Sequence, residues 1–477
     1  MPQQPIAPNT LNRMSEAPPV NNRNGLLANP HHPVLLHDYR FREKATHFDL
    51  EPILQLTQQD LQAAAPPTVL RPLGSFEEFF WLIDRNRPVH FALAAEVQGL
   101  TMIGRWREAL DLVQRRHPLL SVCIEKKENS HPYFRQETGV PIPLRVAQGN
   151  NVVQGWESEM ELELSIPFDP QHAPLVRAVL LHEANQAVVI LVAHHSIADG
   201  RSIAFVIRDL LRALSGNRID LLTALPAHEE ILGLTRSDAV QAHPNKESNS
   251  RVPARPAIYL RKEDSRPRIK GLRLTPELTG KLRERARQEG TTVHGALSSA
   301  LALASWQIAD ESSPLRIVSP IDTRKSLGLG EDCAVLIDAG VVAIEPHRSS
   351  SFWDIARHSM AGLATAQTLE GVFTSRNVLH QAVRNGIDVP TAAAICAHAF
   401  AHEIMLTNLG NLTYGTDFGQ LRLEALWGPA VSARFEGALT VGVATTNGAL
   451  CLLETSFSSP DSLLETTEKI LMSACAG

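Results

Sequence analysis

The sequence predicts a mixed α/β (α+β) protein built as two lobes, and three observations predict it. Residues 187–193 are an unbroken apolar run of mostly β-branched residues, which fits a strand buried on both faces. That run passes through a short loop into a helix whose Ile203, Val206, Ile207, Leu210, Leu211 and Leu214 share one face. Short apolar runs alternate with amphipathic stretches on both sides of a polar, proline-punctuated segment at residues 226–267. A chain of 477 residues also exceeds one ordinary domain. The expected division is an extension at 1–66, largely disordered, a first lobe at 67–235, a linker at 236–268 and a second lobe at 269–477.

Composition narrows the function classes. A net charge of -6 gives no reason to expect nucleic-acid binding. No apolar run approaches the ~18 residues of a membrane span, and the opening MPQQPIAPNT has neither the basic nor the apolar region of a signal peptide. A cytoplasmic protein with no integral membrane segment is therefore expected. The 5 cysteines are widely spaced and contain no C-x-x-C pair, so they are read as reduced thiols that mostly fill core. No metal site is expected, because His31-His32 has no neighbouring Cys or carboxylate cluster to complete one.

Taken in order, residues 48–64 can form a docking helix, and the first dense apolar cluster, LRPLGSFEEFFWLID, begins near Leu70. Ser75 is expected to cap a helix there with Glu78 as its capping-box partner. A strand follows at 90–98, an amphipathic helix at 101–116 ending at His117-Pro118, and a strand at 119–126. Phe168-Asp169, Pro174 and Arg177 mark a turn into the next strand. In the second lobe a strand at 271–274 precedes a helix capped by Thr275, with Pro276 at its first position. That helix stops at Gly290, and Thr291 or Thr292 starts the next. The segment IVSPIDTRKSLG reads as a strand and a turn carrying Asp322 and Arg324. A helix at 352–369, strands at 403–408 and 421–427, a hairpin at 441–457 turning on Asn447-Gly448 and a helix at 460–473 complete the chain.

The run AVVILVAHHSIADGR places two histidines at the end of a buried strand, and successive strand side chains point to opposite faces. Only one of His194 and His195 can look into a given space, so the other is structural. This H-H-x-x-x-D-G pattern resembles the signature of the coenzyme A-dependent acyltransferase superfamily, which includes peptide-synthetase condensation domains, plant alcohol acyltransferases and polyketide-associated acyltransferases. The stretch LTPELTGKLRERARQEGTTVHGALSSALALASWQIAD, followed by SPIDTR, is similar to the same region of the phthiocerol/phthiodiolone dimycocerosyl transferase type. Thr407-Asn408-Leu409-Gly410 resembles a family loop at the lobe interface, which marks Asn408 as a substrate-binding candidate. Asp417-Phe418-Gly419 echoes a plant-branch motif, but Gln420 replaces its Trp, and the match is treated as structural.

The resemblance implies two chloramphenicol-acetyltransferase-like lobes with an active-site channel between them. An acyl thioester, acyl-CoA or an acyl carrier protein, would enter from one side and a small-molecule or lipid alcohol from the other, with no cofactor bound permanently. His195 would be the general base, and the Gly200 N–H, at a helix start, would face the developing oxyanion. Asp199 would raise the pKa of His195 if it turned toward the ring, so it is expected to turn away; the resemblance implies that its partner is Arg324 of the SPIDTR segment, whose forked guanidinium can bind a carboxylate bidentately. Ser196 beside His195 has no G-x-S-x-G elbow, which argues against a serine hydrolase. Amide formation by a condensation-type reaction and a non-catalytic binding role both stay open; the lack of an adjacent carrier or adenylation segment weighs against the first. The segment 251–270 holds seven basic residues against two acidic ones, and Arg261, Lys262, Arg266 and Arg268 are candidates to dock an anionic donor.

Overall fold

The structure, a computed structural model, describes residues 68–128, 130–147, 152–234, 257–260, 266–309, 313–346, 351–412, 414–432, 434–457 and 462–476. The chain opens with β1 (Thr68–Pro72), α1 (Ser75–Asp84) and β2 (Phe91–Gln98). Next come α2 (Ile103–Arg116), β3 (Val122–Glu125), β4 (Tyr133–Gln136) and β5 (Leu144–Ala147). The helix α3 (Val152–Ser165) leads to β6 (Val176–His182), β7 (Gln186–Ala193), α4 (Gly200–Leu214) and the single turn α5 (His228–Ile231). The second half begins with β8 (Arg268–Arg273), α6 (Pro276–Gln288), α7 (Val293–Ala309) and β9 (Leu315–Asp322). It continues through α8 (Arg324–Leu327), β10 (Ile337–Ile344), α9 (Phe352–Leu363), α10 (Leu369–Arg384) and α11 (Val389–Ala399). The strands β11 (Ile404–Asn411), β12 (Arg422–Val431), β13 (Leu439–Thr446) and β14 (Ala449–Ser456) precede a final helix, α12 (Leu463–Ala476).

Two principal sheets result, one of order β12-β2-β7-β6-β5 and one of order β10-β9-β11-β13-β14-β8, with β1, β4 and β3 forming a small third sheet. The histidine-bearing strand β7 sits at the centre of its sheet, antiparallel to both β2 and β6. Its apolar run is buried from Ala187 to Ala193, because helices and the other sheet cover both faces. One face meets the core of α2 and α4 through Val189 and Leu191, and the other meets α3 and β14 through Val188 and Ile190.

The expected break at 236–268 does not separate the two sheets, for β12 comes from the second half and pairs with β2 of the first. Residues 257–260, inside the expected linker, are also packed: Ala257 N donates to Ala397 O (2.9 Å) and Leu260 N to Arg434 O (2.9 Å). A second tie runs through α3. Its Glu157 and Glu161 accept from the N–H groups of Gly271 (2.7 Å) and Ile269 (2.8 Å), satisfying the outer edge of β8 that no strand covers. Trp156 of α3 stacks on Trp427 of β12, with ring centroids 5.3 Å apart.

Several element ends differ from expectation for physical reasons. Gly74, not Ser75, caps α1, and Glu77 rather than Glu78 closes back onto the Gly74 N–H (2.6 Å). The Ser75 N–H is taken by Glu229, 154 residues away (3.0 Å). A 3-10 turn at Pro118–Ser121 delays the strand expected at 119 until Val122. The helix expected over 352–369 stops at Leu363, and Thr368 caps α10, its hydroxyl accepting from Gly371 N (3.0 Å). Neither α10 nor α11 was anticipated. Thr275 caps α6 with Pro276 in the first position, and the 447–448 turn has φ of 52° and 75°, as its Asn-Gly sequence implies. The extension at 1–66, with its 48–64 helix and His31-His32, lies outside the described residues.

The crossing of β12 over β13 depends on Gly442. A Cβ added there would sit 2.6 Å from the Gly428 carbonyl carbon and 2.8 Å from Pro429 N, both backbone atoms. Gly442→Ala should therefore lower unfolding stability by about 1–3 kcal/mol in denaturant titration. Gly415→Ala, where an added Cβ meets nothing within 4 Å, is the control and should change little.

Candidate active site

At the end of β7 the chain turns, with Ile197 N donating to His194 O (3.1 Å), and the two histidines part. His194 is fully buried. Its Nδ1 accepts from Ser196 N (3.1 Å), its Nε2 lies 3.4 Å from Asp84 Oδ1, and its ring meets Phe168 edge-on. His195 instead lines the cavity between the two sheets. Its Nδ1 lies 3.1 Å from Ala198 O, and since a carbonyl only accepts, that nitrogen carries the proton. The basic lone pair is thereby assigned to Nε2.

Phe80 stacks on the His195 ring at 4.2 Å and 8°, while Phe91 packs against it at 4.6 Å. Loss of water around the ring pushes its pKa down to about 4, against the opposing pull of the Asp199 charge. The imidazole is held neutral, the form a base requires.

Asp199 caps α4, Oδ1 accepting from Ser202 N (2.8 Å). Its other oxygen accepts from Arg324 Nη1 (2.9 Å) and Leu336 N (2.9 Å). Burial opposes ionisation here, but the Arg324 guanidinium and these N–H groups outweigh it and hold the carboxyl below its usual range. The pairing is not bidentate. Arg324 Nη1 bridges Asp199 and Asp322 Oδ1 (2.9 Å), and Nη2 turns to Ser202 Oγ (2.8 Å) and Asp332 O (3.1 Å). Asp199 Oδ1, the oxygen a second guanidinium N–H would need, is already taken by Ser202 N. Next to this cluster Arg201 lies 3.0 Å from Asp322 Oδ2 and donates to Leu409 O (2.8 Å), a further strap across the site.

Gly200 lines the cavity as the first residue of α4, and a Cβ there would overlap the Pro429 ring and stand 3.3 Å from Leu409 Cδ2. Glycine is required because β12 closes directly over the helix start. Asn408 also lines the cavity, its Oδ1 accepting from Gly410 N (2.7 Å). Arg266 is exposed and Arg268 starts β8, away from the cavity lining; Arg261 and Lys262 lie outside the described residues. Asp417-Phe418-Gly419 forms a tight turn closed by Gly419 N donating to Asp417 Oδ1 (2.8 Å).

The cavity holds about 1270 Å³ of space, its open mouths included, and is walled by Phe76, Phe79, Phe80 and Phe91 from the first half and Phe400 and Phe435 from the second. This aromatic wall was not assigned a role from the sequence. The cluster F-E-E-F-F at 76–80 was the available signal, but an aromatic run reads equally as core until its partner surface is known.

A condensation-domain family model matches residues 85–326, and a model described as the phthiocerol/phthiodiolone dimycocerosyl transferase C-terminus matches residues 263–424. One of the linear gramicidin synthase polypeptides of Brevibacillus parabrevis is 24% identical over 278 residues, 53% of this chain but 4% of that one. One of the plipastatin synthase polypeptides of Bacillus subtilis is 22% identical over 300 residues, 59% of this chain and 8% of its own length. The chain thus spans only a small part of these relatives. Polyketide synthase associated protein 5 from Mycobacterium tuberculosis superposes with a TM-score of 0.61 at 17% identity, over 86% of this chain and 99% of the other. The trichothecene 15-O-acetyltransferase from Fusarium sporotrichioides gives 0.61 at 13% identity, over 85% and 94%. These likenesses show the fold expected of the acyltransferase superfamily.

Because the Asp199–Arg324 pair is buried, removing one partner strands the other charge. Asp199→Ala and Arg324→Ala should each cost about 3–5 kcal/mol of stability. The double variant should be less unstable than the sum of the singles in urea denaturation; strictly additive costs would refute coupling between the two side chains.

Proposed function

The chain belongs to the condensation-domain family, and from that membership and the His195 geometry we propose that it transfers an acyl group from a thioester to a hydroxyl acceptor, forming an ester. The observation that carries the reading is the state of His195. The ring is neutral, with Nδ1–H committed to Ala198 O and Nε2 left as the base.

In the reaction, Nε2 takes the proton from the acceptor hydroxyl as its oxygen attacks the thioester carbonyl. The carbon–sulfur bond of the tetrahedral intermediate then breaks, and the proton passes from the imidazolium to the leaving thiolate, so ester and free thiol form in equal amounts. A thioester is already activated, so no acyl-enzyme is needed. The Gly200 N–H at the start of α4 is the local donor for the transient oxyanion. Asp199 does not share the proton. Its charge is spent on Arg324 and on the loop, which it aims.

The donor on this reading is acyl-CoA or a phosphopantetheine thioester on a carrier protein, with Arg261, Lys262, Arg266 and Arg268 as a docking strip. The phenylalanine wall suits an apolar acyl chain or acceptor such as a lipid alcohol. Amide formation is the second reading, favoured by the condensation model and by the peptide synthases among the relatives; the same base would serve an amine.

Thiol release from an acyl thioester, with the product analysed by mass spectrometry, separates ester from amide and both from a binding role. His195→Ala should reduce turnover at least about a hundredfold in a protein that still folds, and full activity in that variant would end the mechanism. A base with its pKa near 4 is deprotonated above that value, so kcat/KM should stay level from neutral pH down to about 5 and fall only as pH passes through about 4. A fall centred near 6.5, the ordinary histidine value, would show instead that the ring is solvated.

A further inference from the structure

Most charges on the cavity wall are answered within the protein. Arg201 meets Asp322, and Asp338 lies 3.7 Å from the Arg376 guanidinium. Arg87 and Arg434 are different. Both line the same cavity, and among the described residues neither is in an ion pair. Arg87 donates only to neutral carbonyls, Asn86 O (2.8 Å) and Leu260 O (3.0 Å from Nη2). Arg434 lies with its guanidinium 5.3 Å from the centre of the Phe457 ring, and its buried Nε has no partner.

Leu260 fixes the two arginines relative to each other. Its N–H donates to Arg434 O (2.9 Å) while its own carbonyl takes Arg87. Arg434 is also held at φ 50°, in the left-handed region that a long side chain rarely adopts. One more cavity-lining donor, Ser432 Oγ, is buried without a hydrogen-bond partner. Burial and the nearby Arg87 charge both lower the Arg434 pKa, as two like charges in a dry site must. Buried polar groups are ordinarily paired, and paired cations with unused N–H and O–H donors ask for an oxyanion whose geometry fits a guanidinium.

We propose that Arg434, Arg87 and Ser432 form an anion-recognition subsite inside the cavity, taking a carboxylate or phosphate group borne by one of the two substrates. The apolar surroundings, Tyr259 and Phe435 among them, favour an anion attached to an apolar body over a free ion. Assignment of that anion to a substrate rests on the acyl-transfer reading, whereas its binding does not. Two sources carry this chemistry: a carboxylate on an apolar chain, and the phosphate of a phosphopantetheine arm.

Isothermal titration of the full chain with octanoate against octanol, and with phosphopantetheine against pantetheine, distinguishes them. At least one anionic probe should bind roughly tenfold or more tightly than its neutral counterpart, the loss expected when a charged hydrogen-bond partner goes unmade. Arg434→Gln should erase that preference without weakening the neutral probe, Arg434→Lys should keep most of it, and Arg87→Gln, read independently should Arg434→Gln unfold, should reduce it. A preference confined to octanoate points to the apolar substrate, and one confined to phosphopantetheine to the donor arm. Equal binding of charged and neutral probes, or a preference that survives both glutamine variants, would overturn the subsite. A preference in a protein that consumes no thioester would leave the subsite standing and remove the acyl-transfer reading.

Discussion

The buried contact between Asp199 and Arg324 is the constraint on which the rest of the site depends. Asp199 belongs to the histidine loop and Arg324 to the turn after β9, 125 residues later, so this ion pair, beside that of Arg201 with Asp322, joins the two halves of the molecule at the cavity. A solvent-exposed pair of this kind is worth little. This one is 0% and 4% exposed at the two side chains, and both carboxylate oxygens and the Arg324 Nη atoms have further hydrogen bonds. Satisfaction of most of the remaining donors and acceptors, Arg324 Nε excepted, makes the buried pair tolerable. Its contribution is best described as orientation: α4 starts where Asp199 caps it, and the loop reaches that cap only by passing Ala198, whose carbonyl sets the tautomer of His195.

The histidine is tuned from the other side by shape. Phe80 and Phe91 keep water from the imidazole faces, and the nearest carboxylate has already spent its charge on Arg324. Desolvation prevails over what remains of the Asp199 pull on the imidazolium. Had Asp199 faced the ring, its attraction for the imidazolium would have offset desolvation and returned the pKa toward the neutral range. The separation of His194 and His195 arises in the turn that follows β7, where one side chain meets Asp84 and Phe168 and the next meets the cavity.

The sequence made local features legible and left remote ones out. The β7–loop–α4 unit, the Thr275 cap with Pro276, and the Asn447-Gly448 turn were readable because each depends on residues within a few positions. The Asp199–Arg324 contact was legible only through a family resemblance, because no local rule links residues 125 apart. The cap on Ser75 N–H was misread for the same reason: Glu229 supplies it from 154 residues downstream. Placement of β12 was the larger omission. Its apolar residues announce a strand but not which sheet accepts it, and β2 offers its free edge from the other half of the chain. The aromatic wall was visible as composition and invisible as a surface.

That exchanged strand explains how a cavity can persist between two sheets without the halves drifting apart. β12 lies in one sheet and β13, the next strand in the chain, lies in the other, with Gly442 allowing the backbones to touch at Pro429. On the outer side, Glu157 and Glu161 of α3 hold the edge of β8. The cavity lies between these ties and the Arg324 cluster, so its walls are held from several directions while its interior is left unfilled. Apolar packing alone would tend to close such a space, because burying more surface is favourable. Directional contacts at the rim, which have preferred distances and cannot be improved by further collapse, keep it open.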